Sequence, residues 1–508
     1  MSAEPASATW ILSIDQGTTN TKALLVGRDG QPAFRTSVPV STTSPHPAWM
    51  EQDAMELWAS ILTVIKECAA WATAQHTSIA GLAISNQRET VVAWERATGI
   101  PVAPAILWQC RRTEMLCEKM RRLGHEPLLR KRTGLGIDPL FSASKMRWLL
   151  DETSGLRARA EAGEICLGTV DSWLIWKLTD GAVHACDMSN ASRTQLLNLH
   201  TTDWDDGLLK LFAVPRSALP EVLPSSAHFG VCSGTSPLTG TPIVSAMGDS
   251  HAAMVGHASF HPGTVKATYG TGSSLMTLLP HAPATPRSGV ATTIAWGVNG
   301  ATSRCAQYAL EGNISMTGAG VQWVGEFLGL PDPAQDAAAL AATVNDNDGV
   351  YFVPAMAGLA APHWDSRARG TIAGLTSRSR APHLARAAVE AVAFQVKDVF
   401  DAMEAEAGCT LPMLFADGGA TRNDWLMQFQ ADLLGRPVVR SGCEDLSALG
   451  TAWFGGLTLG WWQSLSELTN IRQETQSFVP RMSEQERKRR CTEWNAAVAR
   501  ARLVEIPR

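Results

Sequence analysis

The chain has no Cys-x-x-Cys pair; its ten cysteines are scattered through 508 residues. Such spacing offers neither a disulfide frame nor a zinc-ligand set, and it suits reduced thiols in a cytosol. No apolar run approaches the roughly 18 residues of a membrane span. The opening segment, Met1 to Thr9, lacks the basic start and apolar centre of a secretory signal. Charged residues make up only 18% of the chain and the net charge is −5, so no basic surface is expected to draw nucleic acid or a membrane. A Gly-x-x-x-x-Gly-Lys-[Ser/Thr] loop is also missing, which argues against the P-loop fold. What is present is a hydrophobic content of 45%, ordinary for a soluble globular protein. At this length one core is not enough, and two large domains are expected. The 18 tryptophans are expected mostly in cores or interfaces.

The pattern opens as a β-meander. Trp10–Asp15 reads as a strand, Gln16-Gly-Thr-Thr-Asn20 as a turn and Thr21–Val26 as the return strand, with a third strand after Arg28-Asp-Gly30. Asp53 to Trp71 has helical spacing. Ile79–Ser85 is a short apolar run that delivers Asn86-Gln-Arg-Glu-Thr90 to its end, and Val91–Trp94 and Pro104–Trp108 are further strands joined through Ala97-Thr-Gly99. Arg112–Leu123, Ala143–Leu150 and Ser172–Leu178 read as amphipathic segments. Mid-chain, Thr241–Ala246 is a buried strand, Gly248 breaks it, and Ala252–Ala258 is a small-residue helix. The second half repeats the opening: strand Gly263–Tyr269, turn Gly270-Thr-Gly272, return strand Ser273–Leu279. A long helix over Pro382–Ala405, a strand over Met413–Asp417, the turn Gly418-Gly-Ala420 and a helix over Trp425–Leu434 follow. Ser483-Glu-Gln-Glu486 is a capping box before a terminal helix, and its basic run Arg487–Arg490 is read as a solvated face. Strands alternating with helices, in two halves that each open on a Gly/Thr hairpin, predict a duplicated α/β fold around a cleft.

The chemistry-bearing residues sit at strand ends. Asp249 stands at the strand–helix junction, where it is either an N-cap or a general base facing the cleft. Phosphoryl transfer needs N–H donors and hydroxyls around phosphates, a metal, and a group that orients the nucleophile. Gly17-Thr-Thr19 and Gly270-Thr-Gly272 can supply the first, as anion-binding nests. Asp15 is either a Mg²⁺ partner or a turn cap. Arg88-Glu89 pairs a forked donor with an acceptor, which suits vicinal hydroxyls of a small polyol or, equally, an ion pair within the chain. Trp108 either walls a carbon skeleton or fills core.

Taken together, several stretches resemble the FGGY carbohydrate kinases, and most of all their glycerol-phosphorylating members. They are Ile14-Asp-Gln-Gly-Thr-Thr19, Asn86-Gln-Arg-Glu-Thr90, Leu107-Trp-Gln-Cys-Arg-Arg-Thr113, Gly168-Thr-Val-Asp-Ser-Trp-Leu-Ile-Trp176, Asn190-Ala-Ser-Arg-Thr194, Tyr269-Gly-Thr-Gly272, Asp417-Gly-Gly-Ala420 and Met427-Gln-Phe-Gln430. The resemblance implies a two-domain actin-like (ribonuclease-H-like) ATPase fold of the α/β class with an interdomain catalytic cleft. The expected division is 1–253, with the polyol site and first phosphate loop, and 254–508, with nucleotide binding and the terminal helix. It implies ATP and Mg²⁺, with Asp249 as base and Asp15 and Asp249 at the metal. Thr18, Thr19, Asn20 and Lys22 fall on the first phosphate loop, with Asn20 and Lys22 in place of the Ser and Arg common in glycerol kinases, and Thr271 falls on the second. Gly318, Gln322, Gly419 and Asn423 fall around the nucleotide's ribose and base. Arg88, Glu89 and Asp249 fall on the hydroxyl-binding positions and Trp108 on the pocket wall.

The departures lie at the acceptor, where Leu140, Ser250 and Ser274 stand in place of the usual Tyr, Gln and Phe. They leave fewer hydrogen-bond partners and more room, so a four- or five-carbon polyol or ketose is the alternative to glycerol. The segment Cys232–Gly240 lacks the Gly/Arg loop tied to fructose-bisphosphate inhibition in some members, so no such control is expected. Assembly as a dimer or tetramer and a cytoplasmic location are further expectations. A contrasting reading is an actin- or chaperone-like protein that binds nucleotide without phosphorylating a small molecule.

Overall fold

In the computed structural model, described for residues 9–234, 237–281, 285, 289–299 and 304–502, two β-sheets carry the molecule. The opening segment before Thr9, and part of the Cys232–Gly240 segment, lie outside the described residues. The first sheet contains β1 (Thr9–Gln16), β2 (Asn20–Val26), β3 (Pro32–Pro39), β4 (Ser78–Asn86) and β5 (Ile243–Gly248), in the spatial order β5-β4-β1-β2-β3. β1 and β2 form the expected antiparallel hairpin, with Asp15 opposite Lys22, and β4 lies parallel to β1 with Ser85 opposite Asp15. Ile11, Leu12 and Ile14 are buried on both faces of β1, as in a sheet covered on both sides. One cover is the helix Ala54–Ala74, whose first turn is capped by Asp53 accepting from the Met55 N–H. It buries Leu57, Ile61, Val64, Ile65, Cys68 and Ala72 at helical spacing.

The second sheet contains β6 (Thr264–Tyr269), β7 (Ser273–Leu278), β8 (Ala291–Asn299), β9 (Arg304–Ile314), β10 (Met413–Asp417), β11 (Val438–Ser441) and β12 (Thr475–Phe478), ordered β8-β9-β7-β6-β10-β11-β12. β6 and β7 are an antiparallel hairpin, β9 is antiparallel to β7, and β10 and β11 run parallel beyond β6. The run β11-β10-β6-β7-β9 thus repeats β5-β4-β1-β2-β3 strand for strand and direction for direction, with β8 and β12 added at the edges. Because parallel strands end on the same side, Asp15, Asn86 and Gly248 finish together in one sheet, and Tyr269, Asp417 and Ser441 in the other.

The halves share a core. Ile11, Ala83 and Met247 of the first sheet and Met276 and Leu278 of the second cluster with Leu449 and Trp453 of the helix Leu446–Thr458. Residue 253 lies within the helix Asp249–Gly256, between the two sheets. Gly450 belongs to the contact between these two helices: a Cβ there would meet the Ala252 carbonyl oxygen at 2.0 Å, so only glycine allows that approach.

Three local readings differ from the structure. Ser172–Leu178, part of the helix Val170–Leu178, is not amphipathic but buried on nearly every face, because Trp173 and Trp176 pack edge-on to Trp94 from inside the molecule. The strand read over Pro104–Trp108 is only Ala105–Ile106, paired with Glu51–Gln52, while Val92–Glu95 pairs with Ile165–Gly168; the local hairpin survives as bridges Val91–Ile106 and Trp94–Pro101, and the longer ladder goes to the distant partner. At the terminal helix Glu484–Arg502, the Ser483 hydroxyl accepts from the Glu486 N–H, but the Glu486 carboxylate turns to Arg489 and Arg490, so only half of the capping box forms. The tryptophans follow expectation at Trp94, Trp173, Trp453 and Trp494, all fully buried.

Candidate active site

Asp249 is the first residue of its helix, and Gly248 is the cap residue. The N-cap reading therefore fails by one position: Asp249 has entered the helix, although one of its oxygens still takes a first-turn N–H. Its Oδ1 accepts from Arg88 Nε at 3.1 Å and from the Ser250 N–H at 2.6 Å. Among the described residues Oδ2 has no hydrogen-bond partner, and the side chain is 38% exposed. The helix N-terminus favours a negative charge here.

Arg88 and Glu89 are ion-paired, though not to each other. Arg88 Nη1 donates to Glu311 Oε1 at 2.7 Å, and Glu89 Oε1 accepts from Arg193 Nε at 2.6 Å. Glu89 holds a positive φ of 59°, which turns the chain at the end of β4. Its carbonyl is fixed by Ser142 Oγ at 3.1 Å and Lys145 Nζ at 3.2 Å. Burial works against the Arg88 charge, but Glu311, Glu89 and Asp249 together more than offset it and raise its pKa. His251, fully buried, lies far below the ordinary histidine range because of burial and the Arg88 charge, so it is neutral. Trp108 is half-buried, and its indole N–H donates to Thr18 Oγ1 at 3.0 Å, tying it to the first Gly/Thr loop. Leu140 packs with Leu135, Phe141 and Ala291; Ser250 is half-buried beside Asp249; Ser274 is buried with its hydroxyl 3.4 Å from Glu311 Oε1.

Asp15 is the penultimate residue of β1, where Ser85 Oγ donates to it at 2.8 Å. Its pKa is pushed up to about 6, by burial first and then by the nearby charge of Asp249. Two carboxylates close enough to feel each other form a donor set for a hard divalent ion. Mg²⁺ takes one or two carboxylates and fills its shell with phosphate oxygens and water, and among the described residues no larger His, Cys, Asp and Glu cage exists. The Asn20 amide donates to Thr19 Oγ1 at 3.2 Å, and Lys22 Nζ reaches across to Asp445 at 2.9 Å. Thr271 is exposed at its turn; its carbonyl accepts from the Thr317 and Ala319 N–H groups, and the Gly318 N–H bonds the Gly270 carbonyl. This ties the second loop to the start of the helix Gly318–Phe327, on which Gln322 pairs with Glu326. Gly418 has φ +94° and backs onto the Tyr269 backbone, a place open only to glycine. Gly419 follows with open space around its α-carbon, and Asn423 caps the helix Asp424–Leu434.

Sequence reasoning missed Glu311, Lys266 and the role of Arg193, although Arg193 lay inside a quoted motif. Glu311 is fully buried and held well below the carboxylate range: burial raises it, but Arg193 and Arg88 outweigh burial. Lys266, fully buried on β6, is lowered by burial against the opposing charges of Asp417 and Asp249. A charged residue amid an apolar strand pattern was the available signal for both.

Comparison with known proteins bears on these sites. The family model for the N-terminal domain of the FGGY family of carbohydrate kinases matches residues 10–256, and that for its C-terminal domain matches residues 265–459. Glycerol kinase 2 of Thermotoga maritima is 43% identical over 492 residues, covering 97% of this chain and 98% of that protein. An apulose kinase of Pectobacterium atrosepticum is 45% identical over 498 residues, covering 97% and 98%. The crystal structure of Plasmodium falciparum glycerol kinase with ADP superposes with a TM-score of 0.91 at 32% identity, covering 99% of this chain and 100% of that one.

Proposed function

The chain belongs to the FGGY family of carbohydrate kinases, and from that premise we propose that it transfers the terminal phosphoryl group of ATP to a terminal hydroxyl of glycerol, giving glycerol 3-phosphate. The observation that carries the reading is Asp249: one carboxylate oxygen is held by Arg88, and the other has no hydrogen-bond partner among the described residues, on a side chain that solvent reaches. Oδ2 takes the proton of the acceptor hydroxyl as that oxygen attacks the terminal phosphorus and the bond to the β–γ bridging oxygen breaks. Arg88 and Glu89 hold two neighbouring hydroxyls and Trp108 walls the carbon skeleton. Thr18, Thr19, Asn20 and Lys22 on one loop and Thr271 on the other receive the phosphates, while Gly318, Gln322, Gly419 and Asn423 line the nucleoside. Asp15 and Asp249 would hold Mg²⁺, which would neutralise charge on the phosphate oxygens. The division into 1–253 and 254–508 belongs to this reading, supported by the repeated sheets on either side of residue 253. A dimer or tetramer rests on the family resemblance alone, and a cytoplasmic location on the unpaired thiols. A protein that binds nucleotide without phosphorylating a small molecule is set aside by the family assignment.

A longer acceptor is the second reading. Leu140 offers no polar side-chain atom, Ser274 turns its hydroxyl to Glu311, and one close relative acts on apulose, by its name. ADP release is to be measured with glycerol and with four- to six-carbon polyols and ketoses. Highest kcat/KM for glycerol supports the first reading; highest kcat/KM for a longer acceptor supports the second. In the latter case Leu140→Tyr, Ser250→Gln and Ser274→Phe together should shift preference toward glycerol by about 10- to 200-fold.

A further inference from the structure

We propose that Glu311 is the positioning residue of the acceptor site: one buried carboxylate from the second sheet that sets the two arginines holding the two acceptor-side carboxylates of the first half. This rests on the acceptor-phosphorylation reading above. Glu311 lies on β9, opposite Met276 on β7 and Ala291 on β8. Its Oε1 accepts from Arg88 Nη1 at 2.7 Å, and its Oε2 lies 2.7 Å from Arg193 Nη1. Arg88 passes the connection to Asp249 through Nε at 3.1 Å, and Arg193 passes it to Glu89 through Nε at 2.6 Å. The chain of contacts is therefore Asp249, Arg88, Glu311, Arg193, Glu89, and among the described residues only Glu311 pairs with both guanidiniums. All but Asp249 are buried.

Charge explains why the centre matters. Without the Glu311 charge, the two buried guanidiniums would be left with Asp249 and Glu89 as their contacting carboxylates, while the nearby Lys266 ammonium already draws on Asp417 and Asp249. Arg88 would then be drawn onto Asp249, the proposed base, and Arg193 would lose one of its two anchors. The Arg193–Glu311 contact is also imperfect: among the described residues, Glu311 Oε2 and Arg193 Nη1 and Nη2 have no well-aligned hydrogen bond. Buried groups in that state reorganise when a polar ligand or water supplies the missing partner. The link joins the halves, since Arg88 and Arg193 belong to the first and Glu311 to the second.

The test uses the full-length enzyme with its best acceptor, glycerol or a longer polyol or ketose. Glu311→Gln is expected to lower kcat/KM for the acceptor about 100-fold, the order for misplacing a substrate-holding group by an ångström, while KM for ATP stays within about twofold. Glu311→Asp, which keeps the charge, should recover part of the loss. Arg193→Lys, which keeps charge but loses the fork, should show the same acceptor-selective defect and serves if Glu311→Gln fails to fold. Acceptor kinetics within about threefold of wild type, or acceptor and ATP parameters falling together with the melting temperature, would overturn the proposal, as would both variants failing to fold. If the wild type phosphorylates no acceptor, it is the proposed function that fails. Acceptor-free ATP hydrolysis then decides on Glu311: a fall in Glu311→Gln supports it, and an unchanged rate refutes it.

Discussion

Arg88 grips one oxygen of Asp249, Oδ1, through Nε at 3.1 Å and leaves the other to the cleft. This arrangement orients a base without consuming it. Asp249→Asn should keep the fold, because the amide oxygen can still accept from Arg88. It should lower kcat by about 10²- to 10⁴-fold, the usual range for a general base. Steady-state kinetics on protein with a wild-type circular dichroism spectrum checks this, and near-normal kcat would remove Asp249 from the chemistry.

Thr271 stands exposed at the β6–β7 turn, with its carbonyl already taken by the helix that follows. Its hydroxyl is the part left for phosphate. Thr271→Val should weaken ATP use by about 1.5–3 kcal/mol, the worth of a hydrogen bond to a charged group, and leave acceptor KM nearly unchanged. ATP titrations at saturating acceptor measure it, and unaltered KM and kcat for ATP would make the turn purely structural.

Asp15 binds its proton up to about pH 6 because it is buried and feels Asp249. A metal ion must displace that proton, so apparent Mg²⁺ affinity should be constant above pH 6 and fall about tenfold per unit below it. Asp15→Asn should weaken Mg²⁺ binding and flatten the dependence. Mg²⁺ titrations of activity between pH 5 and 8 decide; a dependence that survives the substitution belongs to another group.

Asp171 is pushed up from 3.8 to about 7 by burial and then by its neighbour Asp187, which is itself raised by burial and titrates with it. Thr169 Oγ1 bonds one Asp171 oxygen at 2.5 Å and the Asp187 N–H bonds the other at 3.0 Å. The folded state therefore keeps a proton that the unfolded chain releases above about pH 4. Stability from this group is complete below that pH and is lost as pH rises toward 7, by at most about 1.4 kcal/mol per unit. Asp171→Asn should flatten the pH dependence of the melting temperature between pH 4 and 7. An unchanged slope in the variant would assign the dependence elsewhere.

Local pattern alone determined the elements that reach the site. Alternating and continuous apolar runs marked the strands ending at Asp15, Asn86 and Gly248, and the Gly/Thr hairpins of both halves stood out because turns demand small residues within a few positions. The same pattern placed Asp249 at a junction but could not tell cap from first helical residue, a difference of one position set by how β5 leaves its sheet. Ser172–Leu178 was misread as amphipathic because Ser172 is buried along with the apolar residues of the helix Val170–Leu178, as is the adjacent Asp171, whose partners Thr169 and Asp187 lie outside that helix. The Arg88–Glu311 pair spans 223 residues and the Arg193–Glu89 pair spans 104. No window of sequence contains either pair. The first exists because the second sheet sets Glu311 against the turn that follows β4, the second because the stretch after the helix Met188–Ala191 folds back onto that same turn, and only the folded chain brings residues that far apart in sequence into a space where water cannot screen their charges.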